Sequence, residues 1–187
     1  MPIRKPLRAA AALVDAVLDE QRRVFAGLSA AGFDRFCRAI DAAGRVFLYG
    51  VGRNGLMLQA FAMRLGHLGI DAHFVGQLRA PPAGQGDLLV TAVALGSLPS
   101  ADAIAATARA AGARVAAITA RPRKVRGADL VLTLRAQTMD DPPRSVLALG
   151  GAFELSLHLA CEAAVARLMA MRKVGHAALR ARHANLL

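Results

Sequence analysis

Two near-continuous apolar runs, L-L-V-T-A-V at 88–93 and R-V-A-A-I-T at 114–119, restrict the fold more than any other feature of the chain. A strand that faces water on one side alternates apolar and polar residues; these do not. Each is short, rich in β-branched residues and bounded by turn-forming residues, as expected of strands buried on both faces. Three weaker strand patterns accompany them: R-V-F-L-Y at 45–49, I-D-A-H-F-V at 70–75 and D-L-V-L-T-L at 129–134. Between 45–49 and 70–75, and between the two apolar runs, lie helical patterns, the second an alanine-rich helix over 99–111 that ends at Gly112. Strands alternating with helices argue for a parallel sheet covered on both faces, with 88–93 and 114–119 near its centre.

The flanks are helical. Leu7, Val14, Val17, Leu18, Val24, Phe25 and Leu28 fall at helical spacing, so 7–28 is expected to be an amphipathic helix, with Gln21 as the one polar residue on its apolar side. A second helix is expected over about 32–43, capped by Gly44, and a long one from Val146 to Met171, followed by a short one over 173–183. The long helix has little polar surface, which suggests burial on more than one side and a helical interface between subunits. The connections 76–87 and 120–128 carry no helical pattern. No repeat or linker divides the 187 residues, which are expected to form one domain.

Composition excludes several classes. The chain is 55% hydrophobic, which is globular rather than disordered, and carries a formal net charge of +11. The basic residues are scattered and no reader motif accompanies them, so attraction for anionic metabolites is preferred over nucleic-acid binding. No apolar segment of membrane-spanning length and no signal-peptide pattern is present, so a cytoplasmic location is expected. Cys37 and Cys161 lie in apolar helical patterns and are expected to be buried free thiols. The five histidines show no metal-ligand spacing, and no metal or cofactor is expected.

The segment Y-G-V-G-R-N-G-L at 49–56 joins a strand to a helix. Gly50 and Gly52 permit close backbone approach, Arg53 offers a fork for phosphate or carboxylate, and Asn54 offers a cap or a contact to a hydroxyl. G-V-G-R-N-G also matches the dinucleotide fingerprint, but Gln77 stands where the ribose-binding acid belongs. A ligand-free tight turn remains a further alternative.

This segment, continued through L-M-L-Q-A-F-A-M-R-L-G-H-L-G, resembles the sugar isomerase (SIS) domain, and within it the 6-phospho-3-hexuloisomerases. G-D-L-L-V at 86–90, L-G-G-A-F-E at 149–154 and R-H-A-N-L-L at 182–187 extend the resemblance over nearly the whole chain, although Leu187 stands where an acidic residue is usual. The resemblance implies a three-layer α/β/α sandwich around a five-stranded parallel sheet, assembled as a homodimer or homotetramer. The helices 7–28 and 146–186 are expected at its interfaces. It implies a metal-independent isomerisation of a phosphorylated sugar, 3-hexulose 6-phosphate to fructose 6-phosphate, through an enediolate. Glu154 matches the proposed base; His67 and His183 match histidines near the site; Arg53 matches the arginine of the first glycine loop.

One block departs. Where the family's phosphate loop reads like S-G-S-G-E-T, residues 93–98 read V-A-L-G-S-L. Only Gly96 is kept; Ser97 and Ser100 are the nearby substitutes, able to cap the helix that starts near Pro99. Backbone amides and Arg53 or Arg79 are the other sources of phosphate binding. A noncatalytic sugar-phosphate-binding protein and an isomerase of a different or unphosphorylated sugar are therefore the alternative expectations.

Overall fold

The computed structural model describes residues 10–185. The ends of the expected helices 7–28 and 146–186 lie outside them. Along the chain come α1 (Ala10–Ala26), α2 (Ala30–Asp41), β1 (Val46–Gly50), α3 (Gly52–His67), β2 (Ala72–Phe74), β3 (Leu88–Ala92), α4 (Pro99–Ala110) and β4 (Arg114–Thr119). A 3₁₀ turn (Pro122–Lys124), β5 (Leu130–Thr133), α5 (Gly151–Arg172) and α6 (His176–Ala181) complete it.

The five strands form one parallel sheet in the order β2-β1-β3-β4-β5. The apolar strand β3 is central and buried at all five positions, with β4 beside it. Chain order reverses between β1 and β3, which puts the switch point of the sheet beside the glycine junction.

The two faces are unequal. Val46, Leu48, Leu88, Val90, Ala116 and Ile118 point into a large core with Phe36 of α2, Leu58 and Phe61 of α3 and Phe153 and Leu157 of α5. On the other face, Phe47, Leu89 and Val115 form a smaller cluster with Ala105 and Ala108 of α4 and with Ala113. Alternate residues of each strand thus go to opposite layers, as the pleat requires. α5 runs through the larger layer with ten buried residues, among them Ala152, Ala160 and Ala164, small enough to let neighbouring helices approach. Gln21 is buried as expected: its Oε1 accepts from Ser156 Oγ (2.6 Å) and its Nε2 donates to Ala152 O (3.4 Å).

Several boundaries differ from expectation, those of α2 and α5 for visible reasons. α2 starts at Ala30 because Ser29 Oγ accepts from Gly32 N (3.1 Å), and it stops at Asp41; Gly44 is not its cap but donates its N–H to Gly86 O (2.9 Å). α5 starts at Gly151 rather than Val146, since Leu149 takes a left-handed φ of 51° that no helix can run through. At the N-terminal edge of the sheet, the buried Asp87 accepts from Arg45 Nε (3.2 Å), Arg45 Nη2 (2.9 Å) and Gly84 N (2.8 Å), fastening the 76–87 connection to β1.

Candidate functional site

The C-terminal edge of a parallel sheet collects the loops that follow its strands, and the switch point opens a crevice there. After β1 the chain turns through Gly52 at φ 57° into α3. Gly50 and Gly55 serve close packing: a Cβ on Gly55 would lie 2.5 Å from Gly50 O, so the first turn of α3 rests directly on the end of β1. Val51 precedes α3 as its N-cap without a side-chain hydrogen bond, so Asn54 is not the cap. Among the described residues, Asn54 Oδ1 is instead buried without a hydrogen-bond partner.

Glu154 enters from the other side. It sits in the first turn of α5, where the helix dipole favours a carboxylate, with its side chain 18% exposed. Arg53 Nε lies 3.0 Å from Glu154 Oε2. The contact is an ion pair off the line of a hydrogen bond, and Oε2 has no hydrogen-bond partner among the described residues. Arg53 is 68% exposed, so most of its side chain lies in solvent while the carboxylate it pairs with is largely buried. The structure therefore brings Gly50, Gly52, Arg53, Asn54 and Glu154 together.

His67 and His183 form a second group. Their rings stack at 5.1 Å between centroids, and Arg182 Nη1 donates to His67 O (3.2 Å). His67 is buried, and that burial, with His183 and Arg64 nearby, holds its pKa below the usual histidine value. His67 is the last residue of α3, whereas Arg53 is near its first. Fourteen residues of helix separate them by about 21 Å. Within one subunit the histidine pair and Glu154 occupy opposite edges of the sheet.

The loop after β3 is also not the hydroxyl cradle of the family pattern. α4 starts at Pro99 as expected, but its N-cap is Leu98 and no side chain caps it, so neither Ser97 nor Ser100 takes that role. Ser97 Oγ instead donates to Asp102 Oδ2 (2.6 Å). Asp102, in the first turn of α4, thereby places a carboxylate where the helix dipole would draw a phosphate. Gly96 has a φ of 87°, and a Cβ there would collide with Arg121 O. The loop is thus pressed against the basic 121–124 turn, and the void beneath it, about 20 Å³, has room for one water. Sequence reasoning missed Asp102, whose only signal was an acid in the first turn of a helix.

Among the described residues, no group of three or more His, Cys, Asp or Glu side chains is placed to hold a metal ion. No described helix is long and apolar enough to cross a membrane.

The doubly wound five-stranded parallel sheet between helices has the fold of the sugar isomerase (SIS) domain. No protein-family model matches the chain. It is 32% identical over 175 residues to the 3-hexulose-6-phosphate isomerase of Bacillus subtilis, covering 91% of this chain and 95% of that one. It is 37% identical over 153 residues to the 3-hexulose-6-phosphate isomerase of Mycobacterium gastri, covering 80% and 77%. The crystal structure of a Methanococcus jannaschii protein, from which a molecular function of 3-hexulose-6-phosphate isomerase was inferred, superposes with a TM-score of 0.82 at 28% identity, over 93% of this chain and 98% of that one. The chain belongs to the 3-hexulose-6-phosphate isomerase family.

Proposed function

We propose that the protein interconverts 3-hexulose 6-phosphate and fructose 6-phosphate. The observation that carries this is Glu154, a largely buried carboxylate ion-paired with Arg53 at the switch-point edge of the sheet. The reaction needs a base over a carbon-bound proton. Glu154 takes the proton from C2, the electron pair forms the C2=C3 bond, and the C3 carbonyl oxygen takes the negative charge. Arg53 faces the developing enediolate, where a guanidinium is most effective. Glu154 returns the proton to C3, and the hydroxyl proton on O2 passes to O3 as the C2 carbonyl forms.

That last transfer is the work for His67 and His183. Because about 21 Å of α3 separates them from Glu154 in one subunit, they act in the site of a neighbouring subunit. A homodimer or homotetramer follows, and it is supported by exposed apolar residues on three helices: Leu13, Val14 and Leu18 of α1, Leu56 and Met63 of α3, and Leu159 of α5. The protein acts in the cytoplasm, on a freely diffusing phosphorylated sugar.

Turnover of 3-hexulose 6-phosphate, followed as fructose 6-phosphate, tests the assignment; no turnover above that of a Glu154→Gln variant refutes it. Mixing inactive Glu154→Gln and His183→Ala proteins tests the shared site, because hybrid oligomers regain activity only if the two residues come from different subunits. The bond from Ser97 to Asp102 favours one second reading, an isomerase of an uncharged sugar. Stabilisation against heat by neutral sugars but not by their phosphates is its signature.

A further inference from the structure

Beside this site lies an open cleft of about 540 Å³, between α1, the ends of β4 and β5, and the 135–144 loop. Its size suits a whole small metabolite rather than a bare ion. Four arginines line it: Arg23, Arg121, Arg135 and Arg144. Two carboxylates also line it, and both are occupied. Asp141 pairs with Arg121 and accepts from Thr138 N (2.7 Å) and Thr138 Oγ1 (2.8 Å). Glu20 Oε2 accepts from Ser145 Oγ (2.6 Å). Arg23, Arg135 and Arg144 form no ion pair among the described residues. Four guanidinium groups against two carboxylates leave the concavity with a net formal charge of +2, which raises the local concentration of anions, and the planar forks match phosphate oxygens.

We propose that this cleft is a binding site for a phosphate monoester of a small polyol, held by Arg23, Arg135 and Arg144. The need for such a site is visible next door, where Asp102 occupies the loop that would otherwise take phosphate. The loop that carries Arg144 also passes near Glu154: a Cβ on Gly150 would lie 3.8 Å from Met139 N and 3.9 Å from Glu154 Oε1. The phosphate ester has two sources, the isomerase substrate reaching across with its own phosphate, or a second molecule.

Calorimetric titration of the intact protein with inorganic phosphate and with fructose 6-phosphate tests the proposal. Replacing Arg23 and Arg135 together by Gln is expected to weaken both affinities by about a hundredfold, since each charge-assisted contact is worth about tenfold. Both residues are exposed, so the melting midpoint should stay near that of the wild type. Arg144→Gln, in a loop, provides an independent variant with the same expected direction. Affinities unchanged in both variants overturn the proposal, whether or not the protein proves to be an isomerase. Where binding is lost, kinetics assign the source. A raised KM for 3-hexulose 6-phosphate at constant kcat identifies the substrate's own phosphate, and an unchanged KM identifies a second molecule.

Discussion

Replacing Glu154 by Gln separates catalysis from stability at this position. The amide keeps the shape of the side chain but cannot take a proton. A positioned general base contributes about 10²–10⁴ in rate, so kcat/KM is expected to fall by that factor, about 3–5 kcal/mol of transition-state stabilisation. The cost to the fold is much smaller. The partner Arg53 is 68% exposed, and a pair so open to solvent is worth about 1 kcal/mol at most. Loss of the carboxylate from the first turn of α5 removes about 0.3–1 kcal/mol of dipole interaction. For a chain of this length the melting midpoint should drop by about 2–6 °C. The assay is formation of fructose 6-phosphate beside a thermal melt of the same preparation. Activity within threefold of wild type would refute Glu154 as the base. A large loss of activity accompanied by a melting midpoint lowered by more than about 10 °C would show that Glu154 acts through the fold instead.

Asp87→Ala strips Arg45 of its partner and leaves Gly84 N without an acceptor; with Arg45 one-third exposed, a loss of about 2 kcal/mol is expected, read as a drop of about 4–8 °C in melting midpoint. His67 has a depressed pKa when folded, so the unfolded chain binds more protons as pH falls below about 6.5. Stability should therefore decline with falling pH in that window and level off below the folded pKa, and His67→Asn should flatten this part of a melting profile taken from pH 7.5 to 5.5. Burial pushes the Cys37 thiol up to about 11 and the Cys161 thiol higher still. Both should react with a thiol reagent at pH 8 only after denaturation; fast labelling of the native protein would contradict their burial.

The sequence by itself determined the sheet. Strands such as 88–93 and 114–119 are apolar on both sides, and only a parallel sheet between helical layers hides them. Gln21 was likewise legible, because one polar residue on an apolar helix face must find a buried partner. It also determined the glycine junction and the departure at 93–98, since those depend on residue type at adjacent positions. The start of α5 was not legible: Val146 to Gly150 continue the apolar pattern, and only the left-handed turn at Leu149 breaks it.

Tertiary structure alone decided how the side chains are grouped. The resemblance put His67, His183 and Glu154 at the site without saying which subunit supplies each, and within one subunit α3 holds the histidines and the glutamate at opposite edges of the sheet. The bond that spends Ser97 on Asp102 depends on the path of a loop, and the arginine cleft draws on residues as far apart as Arg23 and Arg144. Periodicity records which face of an element is buried. It carries no record of which distant charges are brought within reach, because that is set by the order of the strands and the lengths of the helices between them.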